Sequence, residues 1–117
     1  MDSFCKIREI HRAIIGFENQ LITEYGLSLN EGMALCCLSK KEALTSTEIA
    51  ELLDLTCSNT SKVIKSVEKK GWIHRDLGND DKRNMFFSLT PEGVKKLKEV
   101  KICSIEVPEE LKCIIKD

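Results

Sequence analysis

No run of twenty apolar residues occurs in the 117-residue sequence, and no basic N-terminal region leads into an apolar stretch with a small-residue cleavage site. Neither a membrane span nor a secretory signal is readable, and the cytoplasm is the simplest expected setting. Catalytic signatures are equally scarce. There is no Gly-x-x-x-x-Gly-Lys phosphate loop, no spacing that suggests a Ser-His-Asp set, and no pair of carboxylates in an apolar setting, so no enzyme and no cofactor are expected. Histidines number only two, His11 and His74, both far from any cysteine pair. No Cys-x-x-Cys occurs, which removes support for a structural metal site.

Charge imbalance is also lacking. A formal net charge of −1 argues against a protein that coats nucleic acid indiscriminately. The total hides a local patch. From Thr56 to Phe86 the chain carries seven basic residues (Lys62, Lys65, Lys69, Lys70, Arg75, Lys82, Arg83) and four acids (Glu68, Asp76, Asp80, Asp81), a local +3 against −4 elsewhere. Six cysteines (Cys5, Cys36, Cys37, Cys57, Cys103, Cys113) would suit a disulfide framework. Helical apolar stripes and the missing export signal favour reduced thiols instead. A chain of this length is one domain, burying roughly 65% of its unfolded surface.

The strongest periodicity comes first. Ile7, Ile10, Ile14, Phe17 and Leu21 follow a 3-4-3-4 spacing, and Phe4, His11, Ile15, Ile22 and Tyr25 widen the stripe. So broad an apolar face needs two surfaces to cover it. One is the protein's own core; the other is either a partner subunit or a groove in which the helix lies. Gly26 ends the helix as a left-handed cap.

Ser28-Leu29-Asn30-Glu31 has capping-box spacing and opens a second helix to about Ser39, with Leu29, Met33, Cys36, Cys37 and Leu38 available for burial. Thr45-Ser46-Thr47-Glu48 repeats the device for a short third helix, Ser46 to about Asp54, whose apolar side is Ile49, Leu52 and Leu53. After a turn at Leu55-Thr56 a fourth helix runs from Ser58 to Lys70 and stops at Gly71. Two short helices joined by a tight turn read as a helix-turn-helix. On the fourth helix Ser58, Asn59, Lys65, Ser66 and Lys69 fall within about 60° of Lys62, while Thr60, Val63, Ile64 and Val67 fall between about 100° and 200°. The polar face holds no acid. Its lysines suit phosphates, Asn59 suits the N6/N7 edge of adenine, and Ser58, Ser61 or Ser66 suits base edges or phosphates. An ordinary solvated helix is the plainer alternative.

After Gly71, Trp72 and Ile73 anchor the helix end, and His74-Arg75-Asp76-Leu77 continues as a strand. Gly78-Asn79-Asp80-Asp81 supplies turn chemistry, and Met85, Phe87 and Leu89 alternate inward on the return strand. Thr90 and Pro91 then take the cap and first position of another helix. Asp81-Lys82-Arg83, five residues, then Leu89-Thr90-x-x-Gly93 fills every fixed position of Asp-x-Arg, five residues, Leu-Thr-x-x-Gly. The segment resembles the wing of the MarR (multiple-antibiotic-resistance regulator) family of bacterial transcription factors, and the resemblance covers Ser28 to Lys98 well.

That resemblance implies a mainly α fold with a small β-hairpin wing: a winged helix-turn-helix core at 28–93, flanked by helical dimerisation segments at 1–26 and 94–117. It implies a sequence-specific regulator, a homodimeric repressor on a pseudo-palindromic operator. DNA would be met by Ser58, Asn59, Ser61, Lys62, Lys65, Ser66 and Lys69, and by Lys82 and Arg83 of the wing. Asp81 would brace the wing through Arg75 or Arg83. Dimerisation would use Ile7, Ile10, Ile14 and Phe17 with Leu111, Ile114 and Ile115. Val94, Leu97 and Val100 give one further stripe, but Pro108 interrupts, so the C-terminal dimerisation module looks trimmed. A small-molecule inducer is a further implied partner. Relatives that sense oxidants use a reactive cysteine near the first helix, the place of Cys5, with Cys103 or Cys113 to resolve it and Cys57 at the start of the recognition helix; buried, inert thiols are the alternative. Another function class stays open, a winged helix used only as a protein-interaction module.

Overall fold

A computed structural model describes residues 3–77 and 85–102. The chain divides into two compact units, one holding the first helix through Ser28 and the other Leu29–Ile102. The first helix, α1 (Ser3–Tyr25), is 23 residues long, about 34 Å at helical rise. It ends as the glycine at 26 predicts: Gly26 has φ +70° and its N–H reaches the Ile22 carbonyl at 2.9 Å. Leu21 is buried on α1 and Ile10, Ile14 and Phe17 are half-buried, whereas Phe4, Ile7, Ile15 and Ile22 are exposed, Phe4 by 86%.

The second unit runs α2 (Leu29–Lys40), β1 (Leu44–Thr45), α3 (Ser46–Leu53), α4 (Cys57–Lys69), β2 (Ile73–Leu77), β3 (Met85–Leu89) and α5 (Pro91–Ile102). Its three strands form an antiparallel sheet in the order β1-β3-β2. Leu44 pairs with Phe87, and Ile73 through Leu77 pair with Leu89 back to Met85. The two expected wing strands are present and paired, and the expected turn Gly78-Asn79-Asp80-Asp81 lies outside the described residues. The third strand, β1, is an addition to them: Thr45 both ends β1 and caps α3, with its hydroxyl accepting from Glu48 N and the Glu48 carboxylate accepting from Thr45 N, at 3.2 and 2.8 Å.

Helices α2, α3 and α4 pack on one another, and α2 and β3 carry α5. The core is Ala34, Leu35, Leu38, Leu44, Ile49, Ala50, Leu53, Ile64, Val67, Ile73 and Phe87. This corrects two expected stripes. On α2 the buried face is Glu31, Ala34, Leu35 and Leu38; Met33 is exposed and Cys36 and Cys37 are half-buried. On α3 Ala50 is buried in place of Leu52, which is 53% exposed. Both helices are apolar on more than one side, so composition alone does not choose the inward face. Packing chooses the residues that α4 meets.

Candidate nucleic-acid interface

Helix α4 is fixed by a defined cap at each end. Asp54 closes α3 in the left-handed region at φ 56°, and Leu55 N bonds back to Ala50 O at 3.1 Å, so the turn between α3 and α4 is only Asp54-Leu55-Thr56. The N-cap is Thr56, whose hydroxyl accepts from Asn59 N at 3.1 Å. At the far end Gly71 N bonds Glu68 O at 3.0 Å and Trp72 N bonds Val67 O at 3.1 Å, the paired contacts of a Schellman motif, with Gly71 at φ +82°. A non-glycine residue there would be strained by its Cβ.

The faces of α4 divide as the angular count requires. Thr60, Ile64 and Val67 are buried, while Ser58, Asn59, Ser61, Lys62, Lys65 and Lys69 are exposed. Thr60 is buried without cost to its hydroxyl, which donates to Thr56 O at 2.8 Å. One expected DNA contact sits differently. Ser66 is half-buried and donates its hydroxyl to the Glu31 carboxylate of α2. Glu31 also accepts from Lys70 Nζ at 2.9 and 3.0 Å. Glu31, the acid of the capping-box spacing that opens α2, thus reaches across to α4.

Arg75 of β2 reaches a partner that sequence reasoning passed over. Its Nε and Nη2 donate to the two Glu68 oxygens at 2.7 and 2.6 Å, and its guanidinium lies 5.6 Å from the centre of the Phe87 ring. Glu68 is the acid that lies off the polar face, and here it ties the wing strand to α4. The expected bracing through Asp81 names Asp81, Lys82 and Arg83, which lie outside the described residues; Arg75 itself is taken by Glu68. The Arg75 hydrogen bonds hold the Glu68 carboxyl below the ordinary carboxylate range and raise Arg75 in turn. A depressed carboxyl stabilises the fold above its ordinary pKa, and that contribution is lost as pH falls through the folded value. Both side chains are partly exposed, so the contribution is under about 1 kcal/mol and shrinks with salt. Glu68→Gln should therefore separate from the parent near neutral pH and merge with it in acid, read from denaturant midpoints across pH.

Leu89-Thr90-x-x-Gly93 has a physical reading here. Thr90 N donates to Trp72 O at 3.0 Å, and Thr90 Oγ1 donates to Gly71 O at 2.6 Å and accepts from Gly93 N at 3.0 Å. The motif thus clamps the start of α5 onto the end of α4. Outside that joint Ser88 Oγ meets His74 Nε2 at 2.8 Å and His74 Nδ1 lies 3.5 Å from Asp76. Spacing did not suggest this Ser-His-Asp line. His74 and Asp76 are exposed on the sheet, and the contact fastens β2 to β3.

A groove of about 630 Å³ lies between the end of α2, β3 and α5. Leu38, Leu89, Val94 and Leu97 floor it, and Lys40, Lys41 and Lys98 stand at its rim with Glu42. Cys5 and Cys57 are exposed, and Cys36 and Cys37 are half-buried. Burial, then the neighbouring Cys36, raises the Cys37 thiol, so its thiolate is disfavoured. Cys103 and Cys113, like Leu111, Ile114 and Ile115, lie outside the described residues. Among the described residues no helix is long and apolar enough to cross a membrane.

The model of the MarR family matches residues 27–85, from the turn before α2 to the first residue of β3. The chain belongs to the MarR family. Over 112 residues it is 30% identical to the HTH-type transcriptional regulator YwoH of Bacillus subtilis, covering 96% of this chain and 81% of that one. The transcriptional repressor MprA of Escherichia coli K12 is 29% identical over 84 residues, 70% of this chain and 48% of the repressor. The fold of this MarR-family protein is also that of Staphylococcus aureus MepR in a MepR-DNA complex, with a TM-score of 0.67 at 24% identity over 81% of this chain and 78% of MepR. In the family's terms α3 and α4 are the helix-turn-helix of a transcriptional regulator, and β2 and β3 are its wing.

Proposed function

We propose that the chain is a homodimeric repressor that reads a pseudo-palindromic operator, with α4 in the major groove and the hairpin wing in the minor groove. The observation that carries this is the exposed, acid-free face of α4, bearing Ser58, Asn59, Lys62, Lys65 and Lys69 with exposed Ser61 beside it, on a helix capped at both ends. Lysines there neutralise phosphates and release counterions, which contributes affinity without sequence information. Asn59 and the serines supply base readout. No arginine stands on this face to grip guanine O6/N7, so base discrimination is modest and DNA shape contributes more. Arg83 enters the minor groove, Lys82 meets a phosphate, and Asp81 braces the turn.

The second copy is supported by α1, whose Phe4, Ile7, Ile15 and Ile22 stand exposed beside half-buried Ile10, Ile14 and Phe17. Leu111, Ile114 and Ile115 extend the same interface. An inducer would be an apolar anion, with the lysine-rimmed groove as its seat. MprA is named a repressor and MepR is named in a complex with DNA, which supports the same reading.

Selection of bound genomic fragments, followed by shift assays at several salt concentrations, tests the proposal. A retained fragment with a two-fold repeated half-site is the expected result, bound by a protein that sediments as a dimer at micromolar concentration. Charged residues at Ile7 and Ile14 should dissociate or unfold it. Failure to retain either specific or random DNA would leave the interaction-module reading, with the basic face docking an acidic protein.

A further inference from the structure

We infer that Glu31 is a positioning residue for α4 that also cancels the charge of Lys70, withholding one cation from DNA. This rests on α4 being the DNA-facing helix. Glu31 is only 5% exposed, unusual for a carboxylate, and it accepts both the Ser66 hydroxyl and the Lys70 ammonium, the latter at 2.9 and 3.0 Å. Ser66 and Lys70 are one helical turn apart, at about 40° and 80° from Lys62, so the grip falls on the edge of the polar face. One carboxylate holding two successive turns fixes the roll of α4 about its axis. Rolling Lys62 toward or away from α2 would strain both contacts together.

Glu31 neutralises Lys70 whatever the roll of α4 does to DNA contact. A buried carboxylate stripped of its partner costs far more than an exposed one, so Glu31 retains Lys70 against competition from phosphate. Lys70 Nζ also lies 5.1 Å from the centre of the Trp72 ring. Lys62, Lys65 and Lys69 are exposed and carry no such commitment to a buried acid. Of the four cations from Lys62 to Lys70, three are therefore offered to DNA.

The test is the salt dependence of binding to a random-sequence duplex and to a selected genomic operator, using the full chain. Glu31→Gln keeps an acceptor for Ser66 and releases Lys70. The slope of log affinity against log salt should steepen by about 0.9, which is about a 3.5-fold greater loss between 50 and 200 mM salt. The added contact is blind to sequence, so the steepening should appear on operator and random duplex alike, and a fall in preference between them would come from the loosened roll of α4. Lys70→Gln should leave the slope unchanged, and the double variant should return to it. A merely packing role for Glu31 would lower stability and leave the slope alone.

Two results overturn the inference: a parental slope for folded Glu31→Gln, or a slope shallower by about 0.9 for Lys70→Gln, which would mean that Lys70 already meets a phosphate. If Glu31→Gln does not fold, the Lys70→Gln arm decides. Lys62→Ala serves as control. If it too leaves the slope unaltered, the failure belongs to the DNA-facing assignment of α4.

Discussion

Gly93→Ala should unfold or nearly unfold this protein at temperatures where the parent is stable. A Cβ at position 93 would stand 2.0 Å from the Trp72 carbonyl oxygen and 2.9 Å from its carbon, both backbone atoms. Backbone cannot step aside as a flexible side chain does, and this carbonyl already accepts from Thr90 N. Relief requires α5 to lift from the end of α4, which also breaks the Thr90 contacts to Gly71 and Gly93. Overpacking of this kind costs about 3 kcal/mol at the upper end of its usual range, a fall of roughly 15 °C in midpoint for a domain of this size. Gly16→Ala is the matched control. Nothing lies within 4 Å of its added methyl, on an α-helix, so it should hold or raise stability by up to about 1 kcal/mol. Thermal melts followed by circular dichroism compare the two, and equal midpoints would refute the clamp.

Lys62→Ala with Lys65→Ala should abolish most binding while leaving the fold alone. Both side chains are exposed on α4, so removal of each changes stability by less than about 0.5 kcal/mol. If each lysine meets one phosphate, the salt slope should fall by about 1.8. Affinity at physiological salt should drop about 30-fold, on operator and random duplex alike. Asn59→Ala should behave differently, losing preference among sequences more than affinity. Titration of both variants against two duplexes separates these outcomes. Parental binding by all three changes would remove α4 as the reading surface.

The sequence is most legible where a residue type answers to a backbone need. Gly26 is read correctly as a left-handed stop and Gly71 as a stop, Thr45 and Glu48 as a capping box, and Thr90 and Pro91 as a helix start. The polar face of α4 is legible for the same reason, since buried and exposed residues there separate cleanly by angle. Where two elements must meet, the reading runs out. An angular count treats α4 as a lone cylinder, so it counts Ser66 with the lysines although α2 lies along that edge. Glu68 is set aside as off the face, yet Arg75 arrives from a strand seven residues on. The strand Leu44–Thr45 is two residues long, too short for any alternation to register, and only its pairing with Phe87 and Phe86 defines it.

Trp72 is the only tryptophan in the chain, and the centre of its ring is 5.1 Å from the Lys70 ammonium and 5.4 Å from the Lys96 ammonium. Its carbonyl receives Thr90, so the indole sits where α4, β2 and α5 converge. The molecule therefore carries its own optical gauge of that junction. Emission excited at the tryptophan band has a single origin, and two nearby positive charges make its wavelength respond to any separation of the helices. Operator, salt and oxidant can each be titrated against that one signal without a label, and a change in colour will read out the state of the joint between the reading helix and the rest of the unit.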